Sequence, residues 1–169
     1  MTTPQGTVVQ RGGPALGVAA WAAAAGVADL ISKAGAAWLH SHSVLRGRIV
    51  DSVNPAFSLG LARTSFRLML LLAVLLLIGV GGFTARLAVQ GRVPAWAPGL
   101  LIGGASANLV DRATYGAVHD WLRVASFAAN LADFFVLAGI MGVGLGLVRK
   151  PPQERGAPIL KEHHPPRLG

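Results

Sequence analysis

Between Leu68 and Phe83 the chain reads LMLLLAVLLLIGVGGF, 16 residues without one charge or side-chain hydrogen-bonding group. Such a run constrains the fold more than anything else in the sequence. It is too apolar on every side to lie on a water-facing surface, and it is close to the ~20 residues a helix needs to cross a bilayer. Arg67 and Arg86 flank it and can snorkel to the interfaces, which makes up the missing length. Only 13% of the 169 residues are charged, where soluble domains carry about 25%. The mean hydropathy is +0.54. An integral membrane protein follows.

Three further apolar segments surround that span. "GPALGVAAWAAAAGVADLI" predicts a first transmembrane helix from about Pro14 to Ile31; it is long for the apolar region of a secretory signal. "GLLIGGASANLV" predicts a short, glycine-rich third span beginning near Ala95 and ending at Asp111-Arg112. "ASFAANLADFFVLAGIMGVGLGLV" predicts a fourth from about Ala125 to Val148, closed by Arg149-Lys150. Along it Ala138, Gly142 and Gly146 recur every four residues, a stripe that lets another helix approach closely. Residues 33–67 are more polar; "RGRIVDSV" suits a short strand and Asn54-Pro55 a turn, so this segment is expected to form a small module outside the membrane or at its surface. Residues 1–12 and the Pro-rich basic tail 150–169 are expected to be disordered, leaving 13–149 as the membrane domain.

The net charge is +8, from 15 Lys and Arg against 7 Asp and Glu. The basic residues flank apolar runs and do not form a stripe, which favours membrane lipids over nucleic acid as the partner. Four spans put both termini on one side. Counting Lys and Arg gives eight with the termini and seven on the other side, and the basic tail leans the same way, so cytoplasmic termini are expected. The chain has no cysteine, which excludes disulfides, thiolate metal sites and a cysteine nucleophile.

Both glutamates lie in the C-terminal tail, whereas all five aspartates lie in or beside apolar segments. An Asp within the bilayer costs roughly 2.5–3.5 kcal/mol even on lenient insertion scales, so such residues face protein or water and count as functional candidates. With the termini inside, Asp29, Asp51, Asp111, Asp120 and Asp133 all gather on the outer side. Asn130 and Asp133 are three apart and share a helical face, as do Asn108 and Asp111, with Arg112 four from Asn108. Spans three and four should be antiparallel neighbours, and Asp120, in the loop between them, could fold back to meet Asp133. Two carboxylates held close share a proton, so one can act as base on a water while the other donates to a carbonyl oxygen. That is peptide hydrolysis by an aspartic dyad, without metal or cofactor. Spacing alone leaves alternatives: helix caps, pairs with Arg112 and Arg123, or an ion path or proton relay.

At these residues the sequence resembles lipoprotein signal peptidase (signal peptidase II), a bacterial four-helix membrane aspartic peptidase. "GGASANLVDRATYGAVHDWL" matches a family block of the form GGxxGNxxDRxxxGxVxDF, with Gly103, Gly104, Asn108, Asp111, Arg112, Gly116, Val118 and Asp120 in register. "AANLADFF" is similar to its FNxAD block, "ADLISKAGAAWL" to its Asp-x-x-x-Lys, and "NPAFSLG" to its NxGxAFG segment. The resemblance implies that Asp120 and Asp133 are the catalytic pair. It implies that Asn54, Asn108, Arg112 and Asn130 line the site, that Asp111 supports Arg112 and the helix end, and that Asp29 and Lys33 form a structural pair nearby, a plain helix-end ion pair being an equal reading. It implies a substrate, a prolipoprotein whose Cys carries a diacylglyceryl group, cut just before that Cys on the outer face of the bacterial inner membrane. The module at 33–67 would be the family's small β-cradle, and the chain would act as a monomer. Several positions depart from the pattern. Pro55 and Ala56 follow Asn54, Ala107 precedes Asn108, Ala129 precedes Asn130, His119 sits beside Asp120, and the 13-residue gap from Asp120 to Asp133 implies a trimmed loop over the substrate.

Other marked residues carry less. His40 and His42 alternate as ligands on a strand might, but no third ligand is near, and His163-His164 lie in the tail. Trp38, Trp96 and Trp121 fall near span ends, as interfacial anchors do. Ser58 and Ser65 have no His–Asp partners in view. The sequence therefore predicts an all-α membrane protein of four transmembrane helices with a small extracytoplasmic β-cradle, acting as a lipoprotein signal peptidase. Two other readings stay open: a non-catalytic paralogue that binds lipidated or signal peptides, and a small transporter or channel subunit.

Overall fold

The computed structural model describes residues 13–42, 44, 47–54 and 66–149. Among them the chain forms α1 (Gly13–Ser41), β1 (Ile49–Asn54), α2 (Phe66–Val89), α3 (Trp96–Tyr115), β2 (Val118–Val124), β3 (Phe127–Ala129) and α4 (Leu131–Val148). Three helices, α1, α2 and α4, are long and apolar enough to cross a membrane. The apolar run extends beyond both ends of its predicted limits to become α2, and leucines such as Leu71, Leu72, Leu75 and Leu76 stay more than half exposed on it. Outward-facing leucines suit hydrocarbon as solvent, and the protein is membrane-embedded.

The 20-residue α3 is the central helix, packed against α1, α4 and α2. Its glycines set how close the others come. A Cβ on Gly104 would sit 2.5 Å from the Ala132 carbonyl oxygen, and one on Gly139 of α4 would sit 2.6 Å from the Leu101 amide nitrogen. No side chain fits at either contact, so backbone meets backbone. The small-residue face of α4 is therefore Gly139, Gly142 and Gly146, packed on Leu101, Trp96 and Val93. The predicted stripe through Ala138 is one position out of register at its first member.

The helix ends correct the expectations in three places. The first span does not stop at Ile31: α1 continues for ten more residues to Ser41, because "SKAGAAWLHS" is a helix-forming sequence and Asp29 and Ala36 face the protein. The 33–67 module consequently loses its first part to α1, and His40 and His42 are not strand residues; the His42 ring stacks on Trp38 and bonds its carbonyl. The third span does not end at Asp111-Arg112 but runs to Tyr115, where Gly116 adopts the left-handed conformation (φ 75°) of a helix C-cap. The fourth helix does not begin near Ala125 but at Leu131, after an Asn130 cap. Between α3 and α4 lie two strands, β2 in the segment expected as loop and β3 in the segment expected as the start of the fourth helix.

Those strands join β1 in a three-stranded antiparallel sheet of order β1-β2-β3. Ser52 pairs with Asp120 and Leu122 with Ala129, and the β1–β2 register shifts between Ile49 and Ser52. Ala125 turns the β2–β3 hairpin at φ 52°. The sheet thus draws one strand from the 33–67 segment and two from the α3–α4 connection, which carries Asp120 on a strand and not in a free loop. The expected disorder at 1–12 and 150–169, residues 55–65 of the NPAFSLG segment and its neighbours, and His163-His164 lie outside the described residues.

Candidate active site

Every site residue named from the sequence converges at the sheet end of the helix bundle. Asp120 sits in the middle of β2 and is buried, 4% exposed. Its two oxygens take separate amide donors: Asn130 Nδ2 donates to Oδ1 at 2.7 Å and Asn54 Nδ2, at the end of β1, donates to Oδ2 at 3.3 Å. The β-sheet register makes the second bond available, since Asn54 and Asp120 lie on paired strands two residues apart in register.

Asp133 arrives from the other direction. Asn130 is the N-cap of α4: its side-chain oxygen accepts from the Asp133 amide at 3.0 Å, and its own amide donates to Asp133 Oδ2 at 3.2 Å. This is a capping box closed by an aspartate, with Asp133 at the third helical position where the helix dipole favours an anion. Asn108, on α3, donates from Nδ2 to Asp133 Oδ1 at 2.8 Å, and Arg112 Nη1 donates to the Asn108 carbonyl at 3.2 Å. Fully buried Asn130 therefore bonds both carboxylates at once, Asp120 through its amide nitrogen and Asp133 through its backbone.

Burial raises the Asp120 pKa above the ordinary carboxyl value. The Asn130 and Asn54 donors, and more weakly the Lys33 charge, pull it back down, while the Asp133 charge pushes it up. The pair stands between two cavities. Asp133, Asn108 and Arg112 line one of about 560 Å³ that opens between α2, α3 and α4, walled by Leu76, Val80 and Leu137. Asp120 lines another of about 560 Å³ on the α1 side of the sheet, with Lys33, Asp51, Asp111 and His119.

Behind the pair lies a second polar chain. Lys33 Nζ bridges Asp29 Oδ2 at 2.5 Å and Asp111 Oδ2 at 2.8 Å, and all three are nearly buried. Asp29 Oδ1 accepts the Ala132 amide at 2.9 Å, so α1 caps the first turn of α4 beside Asp133. Asp111 accepts the His119 amide at 3.3 Å, next to Asp120. Asp29 and Lys33 are thus no plain helix-end pair: with Asp111 they link α1, α3, β2 and α4. Asp111 was expected to support Arg112; its carboxylate lies near enough to favour the Arg112 charge, and it also bonds Lys33 and the His119 amide. The i,i+4 spacing made Asp29–Lys33 visible in the sequence; the Lys33–Asp111 link, 78 residues apart, carried no local signal. Asp51, which shares the second cavity with Asp120, was not a named site residue either.

Among the described residues no group of three or more His, Asp or Glu is placed to hold a metal ion. The arrangement offers two carboxyls fixed by neutral amides, with an arginine alongside.

Known proteins resemble the chain in sequence and in fold. The sequence profile of signal peptidase (SPase) II matches residues 21–149. The lipoprotein signal peptidase of Methylorubrum extorquens (strain PA1) is 36% identical over 89 residues, 50% of this chain and 52% of that protein. The lipoprotein signal peptidase of Nostoc sp. (strain PCC 7120 / SAG 25.82 / UTEX 2576) is 37% identical over 122 residues, 70% of each. The chain thus spans about half the length of the first of these and more of the second. A solved bacterial membrane enzyme shares the fold with a TM-score of 0.58 at 16% identity, over 77% of this chain and 86% of that one. With the profile running through α1 to α4 and covering every residue of the paired-carboxylate site, the chain belongs to the signal peptidase II family.

Proposed function

We propose that the protein is an aspartic endopeptidase that removes the signal peptide of diacylglyceryl-modified prolipoproteins, cutting before the lipidated Cys. The observation that carries this reading is Asn130, which bonds Asp120 and Asp133 together and so poises two carboxyls to share a proton. Its relatives named lipoprotein signal peptidase supply the substrate class. In this reading α3, packed among the other three helices, is a fourth span. The protein lies in the bacterial inner membrane with cytoplasmic termini, and the carboxylate site opens at the outer face. The cavity between α2, α3 and α4 takes the apolar signal helix and the lipid chains from the side, bringing the scissile amide to Asp133.

The chemistry follows from the two environments. Asp120 is the carboxyl whose protonated form burial favours, so it enters holding the shared proton, while the Asp133 carboxylate accepts one from water. The water oxygen bonds to the carbonyl carbon as Asp120 protonates the carbonyl oxygen, giving a neutral gem-diol. The C–N bond then breaks: the leaving nitrogen takes the proton from Asp133, and Asp120 recovers its proton from a hydroxyl. Asn108 and Arg112, beside Asp133 at the cavity wall, hold the substrate backbone.

Incubation of the purified protein with a diacylglyceryl-modified prolipoprotein, followed by mass analysis, should give a product beginning at the lipidated Cys. Asp120→Asn and Asp133→Asn should each abolish that product while the protein still folds. A folded parent that yields no cut, or a variant that keeps cutting, overturns the proposal.

A further inference from the structure

The end of the bundle away from the carboxylates holds a cavity that the peptidase reading does not use. It has a volume of about 710 Å³ and lies between the α2–α3 connection and the last turns of α4. Its polar lining is Gln90, Arg92 and Arg149; its apolar lining includes Val93, Trp96 and Leu145. Neither Arg92 nor Arg149 makes an ion pair among the described residues. All five described aspartates sit at the opposite end, around the sheet. From Leu131 to Val148, α4 spans ~27 Å, close to the hydrocarbon thickness of a bilayer. Arg149 therefore stands at headgroup depth of the leaflet remote from the active site.

From this we propose a specific site for an anionic phospholipid on the leaflet opposite the catalytic pair, independent of cleavage. Two guanidiniums converging on one cavity suit a phosphodiester, which each can bind through a planar fork of donors. Gln90 supplies a neutral amide for the polar part of the headgroup. The backbone of the loop is not available: Gly91, Arg92 and the Gln90 amide already donate to the Ala88, Leu87 and Arg86 carbonyls. Recognition therefore rests on side chains. One acyl chain lies along Val93, Trp96 and Leu145, where Trp96 and Val93 pack directly on Gly142 and Gly146 of α4. Among the described residues the lining is basic with no acid, and that charge selects an anionic over a zwitterionic lipid.

The test uses the full chain in a neutral detergent, titrated with dioleoylphosphatidylglycerol or dioleoylphosphatidylcholine, read by thermal midpoint and by native mass spectrometry. Phosphatidylglycerol should raise the midpoint saturably and remain bound at one molecule per chain; phosphatidylcholine should not. The Arg92→Gln/Arg149→Gln double variant should weaken that response at least ten-fold while keeping the lipid-free midpoint. Arg123→Gln, at an exposed position of β2, should respond as the parent does. Equal responses to the two lipids, equal loss in the Arg123 variant, or full protection by sn-glycerol 3-phosphate alone each overturn the proposal. So does a response that appears only after residues 150–169 are removed, since the tail would then be the occupant.

Discussion

Asn130→Ala tests the central piece of the site. The substitution removes two things held by one side chain: the cap on the Asp133 amide and the 2.7 Å donor to Asp120. Loss of an Asn cap costs about 1 kcal/mol. A hydrogen bond to a charged group contributes roughly 1.5–3 kcal/mol. Because both run through one buried residue, they are not additive, and a loss of about 2–4 kcal/mol in denaturant unfolding is expected. That is within the roughly 5–15 kcal/mol of a folded domain, so the variant remains folded. The effect on catalysis has a sign. The Asn130 donor lowers the Asp120 pKa, so its removal raises it further. With Asp120 holding the shared proton, the alkaline limb of the cleavage pH profile moves to higher pH. Asn130→Ser separates the two roles: its hydroxyl restores the cap and most of the stability, but does not reach Asp120, so the displaced limb persists. If Asn130→Ser returns the pH profile to that of the parent, or Asn130→Ala leaves it unmoved, Asn130 is a structural cap only and the reasoning is refuted.

Three further outcomes are expected. Asp120→Asn should be more stable than the parent at neutral pH: the raised folded pKa means that the stability linked to the Asp120 proton is present below the unfolded carboxyl value and lost as pH rises through the folded one, whereas Asn is neutral throughout. Thermal midpoints should therefore converge as the pH is lowered; a constant gap would contradict the burial account. Asp29→Ala removes an acceptor from the Ala132 amide and one of two partners of Lys33, which should cost about 3 kcal/mol, the low end for breaking a buried pair because Asp111 remains. Asp29→Asn, which keeps the acceptor, should cost less, as chemical unfolding would show. Gly104→Ala drives a Cβ into the Ala132 carbonyl, displacing the first turn of α4; a loss of about 1–3 kcal/mol and a fall in turnover are expected, whereas Gly82→Ala, with nothing near its Cβ, should be silent in both assays.

Sequence alone determined the membrane character, because a 16-residue apolar run admits no other solvent, and it marked the aspartates as candidates, because five of them in an apolar chain need a reason to be there. It also located the Asp29–Lys33 pair and the Asn130–Asp133 spacing, both of which live within one helical turn, but it put Asn130 inside the fourth helix and not at its cap. What it could not fix were boundaries and long-range partners. Asp120 reads as a loop residue until β1, more than sixty positions earlier, supplies the strand that pairs with it. The helices α1 and α3 read as ending at their charged residues, yet they continue, because Lys33, Asp29 and Asp111 neutralise one another across α1 and α3. Local periodicity reports which face of an element is apolar. Only the packing of backbone on backbone at Gly104 and Gly139, and the sheet closed over that packing, decides which distant polar groups meet and hence which charges the interior can hold.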